Sequence, residues 1–270
     1  MGARFEVQGH AAYCYTGGRA FDALLPTVVF VHGVLNDHSV WGLQSRYLAH
    51  HGFNVLAPDL PGHGRSAGEP PRSVAQAADF VLALLDAAGV QQAALVGHSF
   101  GSLAALEAAA RAPDRVSRLA LLGTAYPMKV SDALLQAARE QPLRAIEITN
   151  TYSHSTLAPP PSALGPGTWL YGHSRALMRR VLASNPRVNV AETGFGACHA
   201  YEGGDDAIER VRCPVLFLLG ERDAMTPPRA ARSLQARARE SRTVLVDAGH
   251  SLMAEAPDAV LAALKTFLAP

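Results

Sequence analysis

One serine in this 270-residue chain stands where a hydroxyl could become a nucleophile. Gly97-His98-Ser99-Phe100-Gly101 follows an apolar run and opens a helical pattern. A serine on a sharp strand-to-helix turn projects its hydroxyl from the sheet edge, and the flanking glycines let strand and helix backbones approach closely. The helix start also places backbone N–H groups and the positive dipole end beside any oxyanion forming there. A hydroxyl is weakly nucleophilic at neutral pH, so it needs a base, and the base needs an acid to orient it. Of the 11 histidines, His250 in Ala248-Gly249-His250-Ser251 follows the last strand-like run. Asp223, in Gly220-Glu221-Arg222-Asp223, follows the run before it. Glu221 competes locally for the acid role, being longer and two residues nearer the strand. Thr124-Ala125-Tyr126, after another strand-like run, offers no carboxylate. The chemistry these residue types suit is acyl transfer to Ser99, with His250 as general base and acid and Asp223 as its orienter.

Such side chains meet only if the elements before them end at one edge of a sheet. Thr27–His32, Asn54–Pro58, Ala93–Gly97, Arg118–Gly123, Val215–Gly220 and Thr243–Asp247 are short, continuously apolar runs. That pattern fits parallel strands covered on both faces. Between them lie helical patterns. Ser73 and Gln76 form a capping box before Val74, Ala77, Ala78, Val81, Leu82 and Leu85, and a second stripe holds Val260, Leu261, Leu264, Phe267 and Leu268. The alternation predicts an α/β fold with a doubly wound, mostly parallel sheet. Phe5–Val7 and Ala12–Tyr15 add an antiparallel hairpin at one edge. The rhythm stops after Gly123. Asp132–Thr149 and Ser174–Ser184 read as helices, and Ala158-Pro159-Pro160-Pro161 with Gly165-Pro166-Gly167 between them is irregular. The expected organisation is a core of residues 1–124 and 213–270 interrupted by a helical cap over 125–212.

Composition narrows the function classes. Hydrophobic residues are 49% and charged residues 17%, so the chain folds. Its 24 Lys and Arg against 23 Asp and Glu argue against a nucleic-acid partner. No apolar run spans a bilayer, and the first residues show neither a signal peptide nor a myristoylation signal, so no membrane partner is expected. Cys14, Cys198 and Cys213 have no metal or redox spacing. They read as buried reduced thiols, which fits a cytoplasmic protein. The chemistry needs no metal and no organic cofactor. The sequence leaves a homodimer open.

Read together, these motifs resemble α/β-hydrolase-fold enzymes with a serine nucleophile and a helical cap. His32-Gly33-Val34 with Trp41, Asp59-Leu60-Pro61-Gly62-His63-Gly64-Arg65-Ser66, the Gly97–Gly101 elbow, Gly220–Asp223 and Gly249-His250 stand in family order. The resemblance implies that the backbone N–H groups of Val34 and Phe100 form the oxyanion hole. His32, His63 and His98 would support loops, and Asp59, Gly62 and Gly64 would form turns. Pocket residues are expected from the cap, at Tyr152, His154, Trp169, Tyr171, Met178 and Phe195, and near the triad at Met225 and Leu252. An apolar wall of that kind suits the acyl or alkyl group of a small-molecule ester. The implied activity is that of a serine esterase. A lactonase, a thioesterase, a carbon–carbon bond hydrolase or a cofactor-free haloperoxidase would use the same triad. Epoxide hydrolase and dehalogenase activities are disfavoured because Ser99 stands where those enzymes carry Asp. His-Gly-Val-Leu departs from both the His-Gly-Gly-Pro of proline-specific peptidases and the His-Gly-Gly-Gly of lipases. A non-catalytic receptor on the same fold is the reading from another class.

Overall fold

The computed structural model describes residues 2–22, 24–155 and 169–269. Eight strands form one sheet: β1 (Gly2–Val7), β2 (His10–Tyr15), β3 (Thr27–Val31), β4 (Asn54–Pro58), β5 (Ala93–His98), β6 (Val116–Leu122), β7 (Val215–Gly220) and β8 (Ser241–Val246). Their order is β1-β2-β4-β3-β5-β6-β7-β8. From β4 to β8 every pairing is parallel, and only β2 runs against its neighbours. The β1–β2 turn places Gln8 and Gly9 at φ 51° and 77°, as a tight two-residue hairpin requires.

The buried strands β3, β4, β5 and β7 are covered throughout, which is why they read as unbroken apolar runs. Alternate side chains go to opposite faces. Val28 and Phe30 join a core containing Trp41, Leu48, Val260 and Leu264, whereas Val29 and Val31 join one containing Val81, Leu85, Leu103 and Leu106. The first face is covered by α1 (Gly42–Ala49) and, at the end of the chain, by the helix over Pro257–Leu268; the second by α2 (Val74–Ala87) and α3 (Phe100–Arg111). The last strand, β8, is an edge strand that leaves Leu245 half exposed.

Between β6 and β7 lie α4 (Asp132–Glu140), α5 (Pro142–Ser153), α6 (Leu170–Ser184), α7 (Val190–Ala200) and α8 (Gly204–Arg210). The single helix expected over Asp132–Thr149 is two. Pro142 lacks an N–H and disfavours helical backbone at Gln141, which adopts φ −141°, so α4 stops and α5 starts with proline in its first turn. The helix expected at Ser174 starts earlier, at Leu170. The proline- and glycine-rich stretches at 158–161 and 165–167 lie outside the described residues. After β7 come α9 (Arg232–Arg237), α10 (Leu252–Glu255) and α11 (Pro257–Leu268). No helix among the described residues is long and apolar enough to cross a membrane.

Candidate active site

Ser99 sits between the end of β5 and the start of α3 at φ 54° and ψ −122°. Such backbone is costly for a residue with a β-carbon, about 1–3 kcal/mol, and must be held by its surroundings. Ser99 N–H donates to Leu122 O at 2.9 Å, and Ser102 donates to Ser99 O through its N–H and its hydroxyl at 2.8 and 2.6 Å. The glycines of the elbow are required sterically. A β-carbon at Gly97 would strike the backbone of Gly101, and one at Gly101 would strike Val31 O. Gly33 lies under the serine, its place for a β-carbon only 3.1 Å from Ser99 Cβ.

The end of β7 delivers Asp223 and the end of β8 delivers His250. His250 Nδ1 lies 2.8 Å from Asp223 Oδ2, and both residues are at least nine-tenths buried. Glu221, the competing acid, is exposed. Asp223 is held by more than the imidazole. The N–H groups of Met225 and Thr226 each donate to Oδ1 at 2.8 Å, and Thr226 Oγ1 lies 2.7 Å from Oδ2. Burial opposes ionisation of this carboxyl, but the facing His250 and these hydrogen bonds outweigh it and pull its pKa to about 2. The same Thr226 hydroxyl reaches Gly123 O at 2.9 Å and His250 Nδ1 at 3.0 Å.

Sequence reading missed Thr226. The available signal was the Asp223-x-x-Thr226 spacing, in which an aspartate closes a turn onto the N–H groups two and three residues on. His98 donates through Nε2 to His250 O at 2.9 Å, which fixes the loop carrying His250. Burial, then the neighbouring His250, lowers the His98 pKa to about 3, so this ring is a neutral support. His32 and His63 also serve loops. His32 ties Leu60 N–H to Gly33 O at 3.0 and 2.9 Å, and His63 donates to Pro61 O. Asp59 does more than form a turn: it is fully buried and accepts from His38 N, His38 Nδ1 and Arg65 N. The ligand atoms of Asp37, His38 and Asp59 lie within 4.8 Å of one another. Their carboxylates are already engaged by Ser39, Arg180, His38 and Arg65.

The expected oxyanion donors are Phe100, the first residue of α3, and Val34, which follows Gly33 and lines both cavities with Ser99. Neither amide donates to an acceptor among the described residues. Ser99 Oγ makes no hydrogen bond to His250 among them either. Both side chains line a cavity of about 230 Å³ and a larger one of about 700 Å³. Val34, Ser99, Thr149, Phe195, Met225 and His250 belong to both, so the cavities meet at the serine.

Of the expected pocket residues, Met178, Phe195 and Met225 line the smaller cavity, and Tyr152, Phe195 and Met225 the larger. Trp169, Tyr171, His154 and Leu252 are not on either wall. Trp169 is 56% exposed and stacks on Tyr171, whose hydroxyl contacts Thr151. His154 Nδ1 bonds Asn150 O. Leu252 packs into the core, and its neighbours Ser251 and Met253 line the smaller cavity instead.

A serine held at positive φ after β5 and an Asp–His pair after β7 and β8 of the same parallel sheet define an α/β-hydrolase. A profile described as "Alpha/beta hydrolase family" matches residues 28–263, and the chain belongs to that family. It is 29% identical over 261 residues to the "Putative carbamate hydrolase RutD" of Caulobacter sp. (strain K31), covering 93% of each chain. It is also 29% identical over 257 residues to the "Pimeloyl-[acyl-carrier protein] methyl ester esterase" of Neisseria meningitidis serogroup B, covering 89% of this chain and 92% of that one. Among solved structures, the enol-lactonase from Burkholderia xenovorans LB400 superposes with a TM-score of 0.82 at 23% identity, over 98% of this chain and 99% of that one.

Proposed function

We propose that the protein is a serine hydrolase that cleaves a small carboxylic ester through an acyl-enzyme on Ser99. The observation that carries this reading is the 2.8 Å His250–Asp223 contact at the rim of the cavities that Ser99 also lines. In the reaction Ser99 turns its hydroxyl onto His250 Nε2, a contact that tightens as substrate binds. Its oxygen attacks the ester carbonyl while His250 takes the proton. The tetrahedral oxyanion accepts from Val34 and Phe100 N–H, each such donor contributing about 3 kcal/mol to the transition state. His250 then protonates the departing alkoxide. Water, deprotonated by the same imidazole, attacks the acyl-enzyme and frees the acid and Ser99. Residues 125–212 act as the cap, since α5 and α7 supply walls to both cavities, α6 to the smaller and α4 to the larger.

The names of the two curated relatives, a carbamate hydrolase and a methyl ester esterase, support acyl-type hydrolysis as the general activity. Turnover of p-nitrophenyl esters, with Ser99→Ala alongside, tests the reading. Wild-type protein should hydrolyse the ester and take a fluorophosphonate label, and the variant should do neither. Equal turnover by Ser99→Ala would falsify it.

A further inference from the structure

The two cavities that meet at Ser99 differ in charge. Among the described residues no Asp, Glu, Lys or Arg lines the smaller one, whose wall includes Val40, Leu177, Met178 and Met253. The larger cavity is lined by Lys129, Arg144 and Glu147. Glu147 already faces two cations of α6, Arg179 at 3.3 Å and Arg175 at 3.9 Å. Among the described residues the Lys129 ammonium donates only to a neutral acceptor, His199 O at 3.0 Å, and the Arg144 guanidinium has no partner. The lining of the larger cavity therefore carries two cations without an acid to neutralise them. A concave wall of one sign concentrates its field on whatever enters. A guanidinium takes a carboxylate or phosphate in two parallel hydrogen bonds.

We propose that the substrate is asymmetric: an ester joining a compact apolar group, seated in the smaller cavity, to a longer limb that ends in an anion held by Arg144 and Lys129 in the larger one. This rests on the ester-hydrolase reading above. The apolar limb leaves water for Leu, Met and Val side chains, which costs a charged or strongly polar group its hydration without return. The anionic limb keeps its charge at exposed cations, where the benefit is partial and screened by salt. Charge at that end therefore selects among substrates and does not drive the bond cleavage at Ser99.

The test compares each ω-carboxylate ester with its uncharged ω-amide at matched length. One series is the methyl monoesters of straight-chain diacids, with the anion on the acyl side. The other is the acetate esters of ω-hydroxy acids, with the anion on the alcohol side. Matching ω-phosphates separate phosphate from carboxylate recognition. In one of these series wild-type kcat/KM should favour the anion about tenfold, mostly through KM, and the preference should shrink as salt is raised. In the Arg144→Gln/Lys129→Gln variant the ratio of anionic to neutral kcat/KM should fall to about one. Calorimetry of the free diacid with Ser99→Ala protein, with and without the two substitutions, reads the same site without turnover. The inference is overturned if the uncharged esters are the better substrates in both series, or if the preference survives in the double variant. Absence of turnover for every ester, charged or neutral, would instead strike at the ester reading itself.

Discussion

Thr226 touches both members of the pair that would activate Ser99, and its hydroxyl is the contact with the clearest consequence. Thr226→Val keeps the backbone N–H bond to Asp223 but removes the hydroxyl at 2.7 Å from Oδ2 and the donor at 2.9 Å from Gly123 O. A hydrogen bond to a charged group is worth about 1.5–3 kcal/mol, so kcat should fall roughly tenfold or more while KM stays within about twofold. Thr226→Ser should recover most of the loss, because it restores the oxygen and not the methyl group. Ester kinetics on the three proteins decide this, and wild-type kcat in the valine variant would show that the hydroxyl does nothing for the base. The residue also shows where sequence reading stops. Ser99, Asp223 and His250 announce themselves because each follows a strand and belongs to a motif. Thr226 follows no strand, and beyond the turn spacing to Asp223 its hydroxyl meets Gly123 and His250, 103 and 24 residues away in sequence, only in the fold.

At the level of elements, the sheet was legible and the insert only partly so. Parallel strands covered on both faces must be apolar throughout, so β3, β4, β5 and β7 mark themselves in the sequence. The helices between β6 and β7 bury their side chains against whichever surface lies below, which no local period records. Met178 thus reaches a cavity wall whereas Trp169, placed there by its type, lies on the surface. The same long-range packing joins α7 to the loop that carries Val34. A β-carbon at Gly194 would stand 2.8 and 3.0 Å from the two γ-carbons of Val34. Valine is stiff about χ1, so Gly194→Ala must displace the Val34 backbone, whose N–H is a proposed oxyanion donor. Losing such a donor outright costs about 10²–10³ in kcat, and a partial displacement should cost about tenfold with little change in KM. Adding Val34→Ala to Gly194→Ala removes the obstructing methyls and should recover much of that loss. A double variant no faster than Gly194→Ala alone would disconnect α7 from the oxyanion hole.

Across the whole molecule, the histidines packed around the strand ends tie stability to pH. His32, His63 and His98 are each buried, and burial is the main cause lowering each pKa below the ordinary 6.5, to about 4 for His63 and about 3 for His98. In the unfolded chain these rings take protons near pH 6.5; in the folded protein His63 and His98 stay neutral well below it, and His32 is shifted the same way. The unfolded state therefore binds more protons between about pH 6.5 and 4, and stability rises with pH across that window. The contribution is complete above about pH 6.5 and is lost as pH falls toward the folded values. Each ring fully charged only in the unfolded state steepens the dependence by about 1.4 kcal/mol per pH unit. Asp223 acts in the same direction but lower down, because a pKa pulled from 3.8 to about 2 adds stability above 3.8 and loses it only as pH falls between those values. The two windows separate the groups. Urea unfolding between about pH 7 and about pH 5 should report the histidines alone, with the midpoint falling throughout. His98→Gln keeps a donor for His250 O but cannot take up the proton, so its stability should fall less steeply over that range. His63→Gln gives the same reading at a ring that lines neither cavity. Unchanged slopes in both variants would mean that the protons taken up on unfolding bind elsewhere, and that the strand-end histidines are not what sets the acid limit of this fold.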